Sequence, residues 1–172
     1  ILLTKLLVMN MKLMEIWVKA PILKGKDLLI VSECLKYVNK EIYRSISNGK
    51  VVLSVCPEND NPEIYGKIAS IIRSSNPKSI TVVTIDGSPH CFLVHAGVNE
   101  AAYILGRKVP RRHYVLRNGK ELIEITPEAI RVARYLSLVD ELVRKNKEIL
   151  DKLKKYSLEY RFAEKYGDIM LK

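Results

Sequence analysis

DLLIVSECLKYVNKEIYRSISNGKVVLSVCPEN, residues 27–59, decides the fold. Leu28–Val31 is a short apolar run of the kind that forms a buried strand, predicted over residues 27–33. Leu35, Val38, Ile42 and Ile46 then recur at helical spacing, and Asn48-Gly49 ends that helix. Val51–Val55 is a second apolar strand. Neither strand alternates polar with apolar residues, so both of its faces are covered. Two such strands joined through an amphipathic helix make a βαβ unit in a parallel sheet.

The pattern repeats outward from this unit. Asn61-Pro62-Glu63 opens the next helix, with Pro62 where its missing N–H costs nothing, and Ile64, Ile68, Ile71 and Ile72 form the buried stripe. Ser79–Ile85 is the third strand. Asp86-Gly87 turns the chain, Ser88-Pro89 supplies a cap and a first turn, and Val94, Val98, Ala101, Ala102 and Leu105 make a third helical stripe. A three-layer α/β sandwich with a mainly parallel sheet follows. The right-handed crossover rule puts the strand at 28–33 between those at 51–55 and 79–85.

After Gly106 the pattern changes. HYVLRNGKELIEI, residues 113–125, holds Asn118-Gly119 between two alternating runs and reads as a β-hairpin. Thr126-Pro127-Glu128 begins a long C-terminal helix carrying Ala129, Val132, Ala133, Leu136, Val139 and Val143, continuing or restarting through Ile149, Leu153 and Tyr156. Residues 23–172 are read as a single α/β domain with a C-terminal helical segment. Residues 1–22 are an N-terminal extension, an amphipathic strand or helix that packs on the domain or on a partner, the latter implying a homo-oligomer. The run Leu6–Met9 lies between Lys5 and Lys12 with no small-residue cleavage site after it, unlike a secretory signal. No stretch has the length of a membrane span, so a cytoplasmic protein with no membrane partner is expected. A chain with 48% hydrophobic and 28% charged residues fits that class. The wealth of Lys, Ile and Tyr without Gln matches the composition of a heat-loving organism.

The chemistry lies in Cys34, Cys56 and Cys91. An odd, widely spaced set is no disulfide framework and fits reduced thiols. Cys34 and Cys56 directly follow the first and second strands, and Cys91 falls in the first turn after the third. Parallel strands point the same way, so all three cysteines share the carboxyl edge, where open α/β sheets bind ligands. Each lies near a helix N-terminus, whose dipole favours thiolate. His90 adjoins Cys91, and His95 follows about one helical turn later. Cys34, Cys56, Cys91 and His90 together offer three thiolates and an imidazole, a first shell suited to zinc or an iron–sulfur cluster. The alternative is that the cysteines are small buried hydrophobes, that His90 and His95 cap or face solvent, and that His113 is a surface residue. There is no C-x-x-C, hence neither a zinc ribbon nor a thioredoxin-type motif.

These contexts carry a resemblance. Asp27 to about Leu122 resembles the domain that follows the ferredoxin module in a group of iron–sulfur-binding proteins of bacteria and archaea. There one strand ends in Cys, the next in Cys-Pro and the third in Pro-Cys-Cys. Here the order reads IVSEC at Cys34, LSVCPE at Cys56-Pro57, and SITVV followed by SPHC at Cys91. His90 stands where the first cysteine of the last pair would be, and the Cys-rich ferredoxin motif is absent from these 172 residues. The resemblance implies an archaeal, Rossmann-like, cysteine-lined domain. It implies no defined activity.

The net charge of +10 is partly concentrated in Arg107, Lys108, Arg111, Arg112, Arg117 and Lys120, with no acid among them. Two functions stand side by side. One is an iron–sulfur or metal-binding redox module working with a ferredoxin-type or other redox protein. The other is a non-catalytic binding or scaffold domain that presents this basic surface to an acidic partner or nucleic acid. GxGxxG and P-loop motifs are absent. Asp86-Gly87-Ser88 reads as an anion cradle or an ordinary turn. Glu58, Asp60 and Glu63 read as capping acids, with general acid or base work as the lesser alternative. No catalytic residue emerges from the pattern.

Overall fold

The computed structural model describes residues 10–61 and 63–167. The chain parts into two compact units between Ile130 and Arg131. The first holds the sheet: β1 (Asn10–Lys12), β2 (Asp27–Ser32), β3 (Val51–Val55), β4 (Ser79–Ile85), β5 (Arg111–Arg117) and β6 (Glu121–Ile125). Its helices are α1 (Leu35–Val38), α2 (Lys40–Ser47), α3 (Ile64–Ser75) and α4 (Cys91–Leu105). α5 (Pro127–Val132) runs across the boundary, and α6 (Leu136–Lys145), α7 (Glu148–Tyr156) and α8 (Leu158–Tyr166) follow.

Among the described residues the sheet has six strands in the order β1-β3-β2-β4-β5-β6. Every pair is parallel except β5 with β6. The expected α/β class holds, and β2 lies between β3 and β4 as the crossover rule requires. The sheet separates two cores. Leu28, Ile30, Leu53, Val55, Ile80 and Val82 pack on one face with residues of α3 and α4. Leu29, Val31, Val52, Val83 and Leu116 pack on the other with Leu35 of α1 and Ile42, Tyr43 and Ile46 of α2. The helices of the first face approach closely: a Cβ on Gly97 would stand 3.0 Å from Ile64 Cγ1.

Part of the N-terminal extension proves to be sheet. β1 pairs with β3, Met11 opposite Leu53, and Leu13 and Leu23 enter the core of the α3/α4 face. The apolar run Leu6–Met9 and the helix-opening Pro62 lie outside the described residues. The helix expected after β2 is two helices, because Asn39 breaks it. Asn39 takes an extended backbone, its Oδ1 accepts from Ile42 N at 3.0 Å and its Nδ2 donates to Gly119 O at 2.9 Å. α4 starts two residues later than Ser88-Pro89 suggests, since Cys91 N bonds back to Ser88 O and closes a turn first.

The hairpin forms where Asn118-Gly119 predicts it, with both residues at positive φ (51° and 69°), as a type I′ turn demands. The C-terminal helical run restarts three times. Asn146 N ends α6 on Leu142 O, and Ser157 Oγ accepts from Tyr160 N at 3.0 Å to cap α8.

A thiol site at the carboxyl edge

Ser32 and Val55, the last residues of β2 and β3, are register partners, and each cysteine lies beside that pair, two by chain adjacency and one by contact. Cys34 lies two residues past Ser32, Cys56 one residue past Val55. Cys91 opens α4, is only 7% exposed, and holds its Sγ 3.2 Å from Ser32 Oγ. Glu33 N continues the β2–β3 ladder to Val55 O at 3.1 Å, and Cys56 N is fixed by Asp60 Oδ2 at 2.8 Å. The thiols differ in access: Cys34 is exposed, Cys56 half-buried and Cys91 buried.

The helix-dipole expectation fails at Cys34. Its thiol is pushed above its usual range, first by partial burial of the sulfur and then by Cys91; a backbone hydrogen bond opposes the rise, and Cys56 and Glu58 add to it. α1 is a single turn, too short for a macrodipole to oppose this. Cys91, Cys56 and Glu58 thus all stand close enough to act on the Cys34 thiol. Sequence reading assigned Glu58 to capping. Instead it reaches across to His90, whose Nδ1 lies 3.1 Å from Glu58 Oε1 without the alignment of a hydrogen bond. Among the described residues no three His, Cys, Asp or Glu side chains stand as a ready-made metal-ligating group. The donor types suit a soft metal, but Cys91 Sγ lies against Ser32 Oγ rather than in a shared ligand shell.

His95 and His113 are not surface residues. They are 2% and 1% exposed. β5 pairs in parallel with β4, placing His113 opposite Val82 and turning it beneath α4. His95 Nδ1 meets His113 Nδ1 at 3.0 Å, and His95 Nε2 meets Thr84 Oγ1 at 2.8 Å. Burial, reinforced by the facing His113, holds His95 down at about 3. The one available sequence signal was the spacing of Cys91, His95 and Asn99, a polar stripe on a helix whose other buried positions are mostly apolar.

Half of the basic run is engaged within the unit. Arg112 forms a fork with Glu124 at 3.0 and 2.7 Å, and Arg117 donates twice to Glu121 Oε2. Arg111 donates to Asn99 Oδ1 and Val109 O, both at 3.2 Å. Acids absent from the linear run are delivered by its hairpin partner β6. Arg107, Lys108 and Lys120 are exposed.

Among the described residues no helix is long and apolar enough to cross a membrane. The chain is 29% identical over 107 residues to an uncharacterized protein of the archaeon Archaeoglobus fulgidus, a stretch covering 62% of this chain and 74% of that protein. No solved structure matches it. A family model described as Rossmann-like domain matches residues 20–167, in keeping with the parallel sheet, and the chain belongs to that family.

Proposed function

We propose that Cys34, Cys56 and Cys91, with His90 at the rim, receive an iron–sulfur cluster or a zinc ion, and that the protein is a redox module for a ferredoxin-type or other redox protein. One observation carries the reading: three cysteines from three separate segments lie beside the single register pair Ser32–Val55 at the carboxyl edge. The resemblance of IVSEC, LSVCPE and SPHC to iron–sulfur-binding proteins supports it. When bound, the group would supply one-electron or Lewis-acid chemistry. The segments are held by the sheet whether or not a metal is present, so loading should follow folding.

The test is purification and reconstitution with iron and sulfide without oxygen. The parent should turn brown and retain iron. Each of Cys34→Ser, Cys56→Ser and Cys91→Ser should lose most of the metal with an unchanged far-UV spectrum. A folded parent that stays colourless, and binds neither iron nor zinc, overturns the reading. The scaffold reading then stands on Arg107, Lys108 and Lys120, exposed like Arg112, which is forked to Glu124.

A further inference from the structure

α4 carries Cys91, His95 and Asn99 at i, i+4 and i+8, one above another on the side facing the sheet, and all three are buried. Each meets a polar group. Cys91 meets Ser32 of β2, His95 meets Thr84 of β4 and His113 of β5, and Asn99 accepts from Arg111 of β5. The rest of the buried α4 surface is mainly Val94, Val98, Ala101 and Ala102. A polar seam through such a face makes stringent geometric demands, because buried polar groups are costly unless bonded.

The histidine pair is the most demanding contact in the seam. Two Nδ1 atoms 3.0 Å apart need one proton between them: one ring donates and the other accepts. A second proton would set N–H against N–H and bury a cation.

We propose that His95 and His113 are positioning residues that latch α4 to the sheet through one shared proton and so keep the Cys91 thiol against Ser32. The surroundings favour the neutral pair. β4 presents the neutral Thr84 and β2 the neutral Ser32. α4 itself adds Cys91 and Asn99. β5 adds the cation Arg111 just beyond Asn99. α3 packs on α4 through Ile64 beside Gly97. The low affinity of His95 for a proton agrees with this arrangement. The latch concerns access to one thiol and is independent of whether the edge takes a metal.

The test uses metal-free, chelator-treated protein with Cys34→Ser and Cys56→Ser, leaving Cys91 as the reporter. Its labelling by 4,4′-dithiodipyridine is compared with that of the urea-unfolded chain at each pH, beside the far-UV signal. Labelling counts the protons taken up on release. Below about pH 6 it should rise by up to about a hundredfold per pH unit while the far-UV signal stays native, because both rings can charge once freed. H113N keeps an amide at the Nδ1 position and should cut the rise to about tenfold per unit. H95N/H113N should abolish it. Labelling that stays flat in the parent until the fold is lost overturns the proposal. So does an undiminished slope in H113N, which decides the question even if the double variant does not fold.

Discussion

The sheet face under α3 and α4 buries fifteen apolar residues among those described, and the face under α1 and α2 buries six. The difference begins in the sequence. α3 and α4 run for 12 and 15 residues without a break, whereas Asn39 divides the opposite helix into pieces of 4 and 8. Apolar burial contributes in proportion to area, so the larger face carries most of the stability and can accommodate a polar seam. The thiol site straddles the two. Cys91 hangs from a long, packed helix, and Cys34 precedes a single turn. The edge therefore joins an anchored thiol to an accessible one.

The most direct way to break this comparison is to open a cavity in each face. Ile68 of α3 is 1% exposed, and Ile68→Ala should cost about 2–5 kcal/mol in urea unfolding. Ile46 of α2 is half-buried, and Ile46→Ala should cost about 1 kcal/mol. Equal losses would mean that the two faces share stability evenly.

The faces should also answer to opposite ends of the pH scale. His95 is held at about 3, below its ordinary 6.5, first by burial and then by His113. Above pH 6.5 both folded and unfolded states leave it neutral. As pH falls below 6.5 the unfolded chain takes up a proton that the folded state refuses, so stability drains away down to about pH 3. By pH 5 the loss should be on the order of 2 kcal/mol, read as a lower urea midpoint. On the α2 face, burial pushes the Tyr43 hydroxyl above its usual value. That contribution is present below pH 10 and is lost as pH rises through the folded value. Tyr43→Phe should therefore flatten the alkaline limb and leave the acid limb alone.

Much of this was legible in the sequence. Uninterrupted apolar strands alternating with amphipathic stripes specify the parallel sheet, and the crossover rule then orders β3, β2 and β4. Cysteines directly after strands must lie at the carboxyl edge, so the placement beside Ser32 and Val55 follows from topology. The histidine pair was hidden because it depends on β5 adding in parallel beside β4. The hairpin motif specifies only the local pairing of β5 with β6. Arg111 and Arg112 before His113 gave that strand the look of a surface. β1 was hidden by its length of three residues. Asn39 was hidden because the helical spacing of Leu35, Val38, Ile42 and Ile46 runs straight through it.

Asn39 offers a smaller perturbation. Its side chain caps α2 and also holds the β5–β6 turn through Gly119 O. Asn39→Ala removes both bonds and should cost about 1–2 kcal/mol. Asn39→Asp keeps the cap and loses the donor to Gly119, so it should recover about half of that cost. If Asn39→Asp matches the parent, the link to the hairpin contributes nothing.

The smallest expected effect tests the two thiols against each other. Cys34 is exposed at the end of a one-turn helix, so Cys34→Ala should change the urea midpoint by less than about 0.5 kcal/mol, as surface substitutions do. Cys91 is buried under α4 with its sulfur on Ser32 Oγ, so Cys91→Ala leaves that hydroxyl facing a small void and should cost about 1–2 kcal/mol. Cys91→Ser places a hydroxyl where the thiol stood and should restore part of the loss, because Ser32 regains a partner. A Ser32→Ala, Cys91→Ala double variant should cost less than the sum of the single changes, since each single change orphans the other group. Strict additivity would show that the 3.2 Å contact contributes nothing and that Cys91 is held by α4 alone.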